Sequence, residues 1–279
     1  MATSIIKDYL DLTKKYKDEY GEKTLVLLQV GAFFEIYGLK TDDGTIFGSN
    51  IEEICSICEL NLSNKQATHK DAIYKKNKVS TNHTYSVMMA GFKDYNYEKY
   101  VQKLLKHQYI VPVYIQEKTD TDIIRKLDTI YSPGTYIAVD KNDKISNNVV
   151  CVWMETFKRK NKEFLVYGVS IIDIITGKSY VFEHEVEYSM NPTTFDELER
   201  IMTTFSPSEI ILLSAMDKRD INTIFNFVNA PNVITQCISL DHEKAVNCSK
   251  QKYIHNILGT FFGEDCIFRC KEFDNYAMA

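Results

Sequence analysis

The sequence has no run approaching the roughly 18 uninterrupted apolar residues that a membrane-spanning helix needs. Its start, MATSIIKDYL, has neither the basic n-region nor the apolar h-region of a secretory signal, so membrane residence and secretion are not expected. There is no excess of basic charge. The 33 Lys and Arg against 38 Asp and Glu leave a net charge of −5, which excludes a basic nucleic-acid coat. The field of the whole chain repels phosphate, so any nucleic-acid binding has to come from a local patch or a few specific side chains. There is no cysteine framework either: seven Cys, an odd number scattered along the chain, read as reduced thiols of an intracellular compartment. Cys55 and Cys58 form a C-x-x-C, but without a second such pair or a nearby His pair they read as core residues on one helix face. The six His assemble no Ser-His-Asp arrangement by spacing, and no Gly-x-x-x-x-Gly-Lys-Ser/Thr nucleotide loop occurs anywhere. Internal repeats and low-complexity tracts are missing as well.

What is present is the composition of an ordinary globular protein, 44% hydrophobic and 25% charged, long enough at 279 residues for about two domains. Ile5, Ile6, Tyr9, Leu10, Leu12 and Tyr16 recur at helical spacing and predict a helix from Ser4 that Gly21 ends. Thr24 to Gly38 is rich in β-formers and predicts one strand, or two joined near Gly31, with the even positions Val26 to Ile36 on one apolar face. Ser49 and Glu52 form a capping-box pattern ahead of a helix from Ile51 to Glu59. The polar stretch from Asn64 to Thr84 reads as a long loop. A strand at Tyr85 to Ala90, a helix capped by Asn96 and a β segment at Tyr109 to Gln116 come next.

The pattern breaks around Ser132, Pro133 and Gly134, so a linker over 131–148 is predicted between a first domain, 1–130, and a second, 149–279. The second domain opens with three candidate strands, Val149 to Glu155, Phe164 to Asp173 and Lys178 to Phe182, the last two joined at Thr176 and Gly177. A helix capped by Thr194 and Glu197 runs to Phe205, and then come a strand from Glu209 to Leu213, a helix from Ile221 to Phe227, a strand from Asn232 to Ile238 and a helix from Ser249 to Phe262. The fold class is α/β: a mixed-sheet domain followed by a domain with the element order of an RNase H-like sheet.

Alternation along a strand puts Phe33 and Glu35 together on the face opposite Phe34 and Ile36. Phe33 packing under a loop beside a solvated Glu35 is one reading; an aromatic and a carboxylate projecting together to read a ligand is the other. The segment VGAFFEIYG (Val30 to Gly38) resembles the Gly-x-Phe-x-Glu signature of the MutS family's mismatch-recognition domain, with Phe33 and Glu35 on its Phe and Glu. VMMAGFKDYNYEKYVQKLLKHQY (Val87 to Tyr109) is similar to that family's Pro-Met-Ala-Gly turn and the following helix, and YIQEK (Tyr114 to Lys118) to its next strand. SPGT (Ser132 to Thr135) and YGVSIIDIITGKSYVFE resemble the start of its connector domain. Met88, Phe92, Lys93 and Ala32 depart from the usual residues, which points to a divergent branch such as those of large DNA viruses or organelles. Cytoplasm, nucleus and viral factory are not distinguished.

The resemblance implies recognition of mispaired or unpaired bases in double-stranded DNA. Phe33 would enter the minor groove as a wedge and Glu35 would hydrogen-bond the stacked base, where a mismatch lowers the cost of unstacking. It also implies ATP and Mg²⁺ in the full-length protein, no cofactor or catalysis in this chain, a homodimer formed through missing C-terminal domains, and docking of a downstream repair protein on the connector. The chain would be an N-terminal fragment or a reduced family member. Lys65, Lys70, Lys75, Lys76 and Lys78 stand against Asp71 alone in the expected loop, a local charge of +4, and read either as a solvated loop or as a DNA phosphate patch. Two alternatives remain. A metal-dependent RNase H-like nuclease would use Asp173 with Glu197 or Glu199, but Glu209 lies at the wrong end of its strand for a third ligand. A protein-docking module would have lost mismatch reading altogether.

Overall fold

The first helix, α1 (Ala2–Tyr20), buries Ile6, Tyr9, Leu10, Thr13 and Tyr16, one stripe at helical spacing. Gly21 ends it with φ +95°, donating its N–H to the Lys17 carbonyl at 2.8 Å. The computed structural model describes residues 2–70, 84–118, 123–136, 146–230 and 233–269. These form two compact units, 1–133 and 134–279.

In the first unit α1 is followed by β1 (Leu27–Val30), β2 (Phe33–Lys40), the short β3 (Ile46–Phe47), α2 (Ile51–Cys58), β4 (Ser63–Lys70), β5 (Thr84–Lys93), α3 (Tyr97–Lys106), β6 (Val111–Lys118) and β7 (Ile123–Tyr131). The sheet runs β4-β5-β2-β1-β6-β7, with β3 on β2; β1 and β6 are parallel and the other neighbours antiparallel, so the sheet is mixed as expected. One face lies under α1. There Tyr9 meets the buried Tyr37 edge-on at 5.2 Å, and the Tyr16 and Tyr114 hydroxyls are 2.9 Å apart. On the other face Phe34 packs on Phe92 and Tyr97, and Phe92 stacks on Tyr100 of α3 at 4.1 Å. α2 approaches this face so closely at Gly38 that an added Cβ would lie 2.8 Å from Ile51 Cγ2.

The structure departs from the sequence reading at four places in this unit. The even positions from Val26 to Ile36 do not share a face. The turn between β1 and β2 has two residues, Gly31 and Ala32, so Val30 pairs with Phe33 and Leu28 with Glu35, and parity inverts across it. Ser49 does not cap α2; its hydroxyl donates to the Tyr37 carbonyl, and Asn50 holds the N-cap position without a side-chain cap bond. The supposed loop from Asn64 begins as β4 and ends as β5. β7 is an addition to the expected elements, because as an edge strand it leaves Ile123, Ile124 and Leu127 exposed without alternation.

The second unit contains β8 (Asn148–Arg159), β9 (Lys162–Asp173), β10 (Ser179–Glu187), α4 (Asp196–Phe205), β11 (Glu209–Ser214), α5 (Lys218–Phe227), β12 (Ile234–Ile238), α6 (Glu243–Cys248), α7 (Gln251–Phe262) and α8 (Glu264–Arg269). Its sheet runs β10-β9-β8-β11-β12, an antiparallel meander followed by two parallel strands. Val150, Val152 and Met154 alternate into a core with Leu165, Tyr167, Val169 and Ile171, closed by Leu198 and Ile201 of α4 and Ile224 and Phe225 of α5. Thr194 does not cap α4: Phe195 holds its N-cap position without a side-chain cap bond, and Asn191 caps the 3₁₀ turn just before it, its side chain accepting from the Thr194 N–H at 3.2 Å. The expected linker 131–148 is taken up by structure at both ends. Tyr131 belongs to β7, while Gly134 donates to the buried Glu209 at 2.9 Å and its carbonyl accepts from Asn147 at 3.0 Å. Among the described residues no helix is long and apolar enough to cross a membrane.

Candidate nucleic-acid interface

β2 presents Phe33, Glu35 and Tyr37 on one face, and cover by neighbouring residues falls off toward the turn. Tyr37 is fully buried, the Glu35 side chain is 16% exposed and Phe33 is 45% exposed. Phe33 is the one exposed residue of a strand whose other positions are buried or half-buried. The pairing of Phe33 and Glu35 on one face stands as predicted, since it depends only on parity within β2.

The turn bearing Phe33 is held from three directions. Gly31, at φ +62°, adopts the backbone a two-residue hairpin demands and donates its N–H to Gln116 Oε1 at 3.0 Å. The Gln116 N–H donates in return to Gln29 Oε1 at 2.9 Å, and Arg125 of β7 donates through Nε to the Gln29 carbonyl at 2.9 Å. From the other side the Asp94 N–H donates to the Ala32 carbonyl at 3.0 Å. Segments far apart in sequence therefore fix the backbone from which Phe33 projects, and a contact group needs such support to act with defined geometry.

Glu35 lies opposite Gly91 of β5. A Cβ at Gly91 would sit 2.7 Å from the Phe34 carbonyl oxygen and 3.6 Å from Glu35 Cγ, so only glycine lets β5 come this close beside the carboxylate. Glu35 Oε2 accepts from the Tyr37 hydroxyl and from Lys65 Nζ, the latter at 3.0 Å. Lys65 Nζ also reaches the Tyr37 hydroxyl at 3.1 Å and lies 4.7 Å above the Tyr37 ring. Burial and the adjoining Glu35 carboxylate raise the Tyr37 phenol far above its ordinary value, so it stays a neutral donor.

Lys65 is thus a strand residue engaged by Glu35, not a loop lysine. Lys70 closes the described part of β4, and Lys75, Lys76 and Lys78 lie outside the described residues. Lys93 is a residue that the sequence reading missed. It sits directly opposite Phe33 in the β2–β5 register, and its ammonium lies 5.7 Å from the ring of the exposed Tyr95. The available signal was the lysine itself, where the resembling motif usually carries proline.

Asp173, the leading nuclease candidate, closes the β9–β10 hairpin. It accepts from the Asn147 N–H at 2.9 Å, the Ile175 N–H at 3.1 Å and the Thr176 hydroxyl at 2.6 Å. Glu197 pairs with Arg200 through both oxygens, Glu199 accepts from Asn229, and Glu209 caps Gly134. Among the described residues no group of three or more His, Cys, Asp or Glu is placed to hold a metal ion. Cys55 and Cys58 are buried on α2, and burial pushes the Cys58 thiol up to about 11.

The MutS domain I family model matches residues 3–140. A mutS homolog of Acanthamoeba polyphaga mimivirus is 27% identical over 73% of this chain and 17% of its own length. The DNA mismatch repair protein MutS of Thermodesulfovibrio yellowstonii is 24% identical over 77% of the chain and 20% of its own length. That of Borrelia garinii subsp. bavariensis is 23% identical over 92% and 24%. The chain spans about a fifth of the length of the curated relatives it matches. The hairpin carrying Phe33 and Glu35 lies within residues 3–140, an N-terminal MutS family mismatch-recognition domain.

Proposed function

We propose that this chain reads mispaired or unpaired bases in double-stranded DNA, as the N-terminal part of a DNA mismatch repair protein. The observation that carries the reading is the graded exposure along one face of β2: Phe33 projecting beside a braced turn, with the Glu35 carboxylate two residues behind it. Phe33 stacks on a base at a weakened step, where unstacking costs less than in matched duplex, and Glu35 accepts a hydrogen bond from the displaced base. A carboxylate acceptor adds selectivity, because a base offering no donor leaves it unpaired.

The second unit serves as a connector. Its strand order, three antiparallel strands followed by two parallel ones, supports an RNase H-like scaffold. The engagement of Asp173 in its own hairpin speaks against metal-dependent cleavage there. ATP and Mg²⁺ in the full-length protein rest on the family reading alone; these 279 residues contain no Walker A loop. A homodimer and a downstream repair partner belong to the same proposal.

The test is Phe33→Ala in the protein that carries this chain, with affinities measured on a matched duplex and on one with a single mismatch or unpaired base. Stacking contributes about 1 to 3 kcal/mol per base, so the variant loses about fivefold to a hundredfold of its mismatch preference and keeps most of its matched-duplex affinity. Equal losses on both duplexes would refute the wedge.

A further inference from the structure

Lys65 reads from sequence as one lysine among five in a basic stretch, either a solvated loop charge or a phosphate contact. The structure gives it different surroundings. Its ammonium is bound to Glu35 Oε2 at 3.0 Å and to the Tyr37 hydroxyl at 3.1 Å, over the Tyr37 ring, with its side chain only 26% exposed. It reaches this point from β4, across β5 from β2; the β5 residue opposite Glu35 is Gly91, which presents no side chain there. A phosphate contact calls for an exposed cation free to meet the backbone; Lys65 is partly covered and already paired.

We infer that Lys65 is a positioning residue for Glu35: with the Tyr37 hydroxyl it holds Oε2, leaving Oε1 as the acceptor presented beside Phe33. Both bonds fall on Oε2, and among the described residues no hydrogen bond to Oε1 occurs. The arrangement also balances the charge. A bare carboxylate next to DNA would repel phosphate at every site, matched or not, and the ammonium offsets that repulsion at contact distance. The inference deepens the proposed reading of bases and rests on it.

The experiment compares Lys65→Gln, Lys65→Arg, Glu35→Gln and the Lys65→Gln/Glu35→Gln double variant in the protein that carries this chain. Matched and mismatched duplex affinities are measured over a salt series, and urea unfolding is followed without DNA. Lys65→Gln is expected to cut mismatch preference about tenfold, the worth of a hydrogen bond to a charged group, and to weaken matched binding as Glu35 loses its counter-charge. Glu35→Gln narrows the preference while strengthening matched binding, because it leaves Lys65 as an uncompensated cation. The double variant discriminates no worse than Glu35→Gln alone, Lys65→Arg retains most of the preference, and the two single changes are non-additive in unfolding. Uniform weakening of both duplexes by Lys65→Gln, with a salt slope flatter by about 0.9 and additive unfolding, makes Lys65 a phosphate contact and overturns the inference. Failure of the base-reading proposal looks different: Phe33→Ala and Glu35→Gln then leave discrimination untouched, whereas failure of the positioning role leaves those two variants defective and Lys65→Gln not.

Discussion

Gly91 and Lys93 lie on one strand, opposite Glu35 and Phe33, and their roles are opposite in kind. Gly91 acts by having no side chain. Gly91→Ala would drive a methyl into the Phe34 backbone, which cannot move aside as a flexible side chain would, so β2 and β5 must part. Overpacking of this sort costs about 1 to 3 kcal/mol, and it displaces Glu35 as well. The expected result is a lower unfolding midpoint together with reduced mismatch preference; a variant as stable and as discriminating as the parent would contradict the close approach. For Lys93 the expected role lies in its charge. It stands beside the exposed Phe33 with no ion-pair partner among the described residues, so Lys93→Gln should weaken matched and mismatched duplexes alike and flatten the slope of log K against log salt by about 0.9. A change confined to mismatched DNA would assign Lys93 to base reading instead.

Among elements, two hairpins show how a short turn sets the geometry of the strand beyond it. The Gly31–Ala32 turn inverts parity between β1 and β2 and delivers Phe33 to the face it shares with Val30. The turn after β9 is organised by Asp173, whose carboxylate is held below its ordinary range by the Thr176 hydroxyl first and by the Asn147 and Ile175 amides next. A depressed carboxylate stabilises the fold above its unfolded-state pKa and loses that contribution as pH falls through the folded value. Asp173→Ala should therefore lower the unfolding midpoint of the second unit at pH 7. The difference from the parent should shrink as pH drops below the ordinary aspartate value of about 3.9. A gap that stays constant down to pH 2 would show that the ionised form is not what holds the hairpin. Much at this scale was legible from periodicity: α1, β2, α3 and the β8–β10 meander all follow their apolar spacing. Ser49 was not legible, because a capping pattern says nothing of the Tyr37 carbonyl, which competes for its hydroxyl only once β2 lies alongside α2.

For the molecule as a whole, charge and deformation set the affinity. The 279-residue chain carries −5, and on the proposed reading a single aromatic wedge has to drive a kink costing a few kcal/mol. By itself it should bind DNA weakly, with little preference and steep salt dependence, and changing Lys75, Lys76 and Lys78 to Gln should abolish the binding. Tight, mismatch-selective and salt-insensitive binding by these residues alone would overturn that view. The two compact units are 1–133 and 134–279, and within the stretch expected as a linker Gly134 is bonded to both Glu209 and Asn147.

The sequence by itself determined that Phe33 and Glu35 share a face, because alternation along a strand is local and needs no partner. It also determined the α/β class, through apolar periodicities that each element carries within itself. Only the tertiary structure decided what surrounds that face. The pairing of Lys65 with Glu35 spans 30 residues, and Gln116 reaches Gly31 across 85. Such contacts arise from strand order and register, which depend on the fit of every strand at once. A lysine in a polar stretch therefore reads as a solvated charge until the sheet brings a carboxylate to its side.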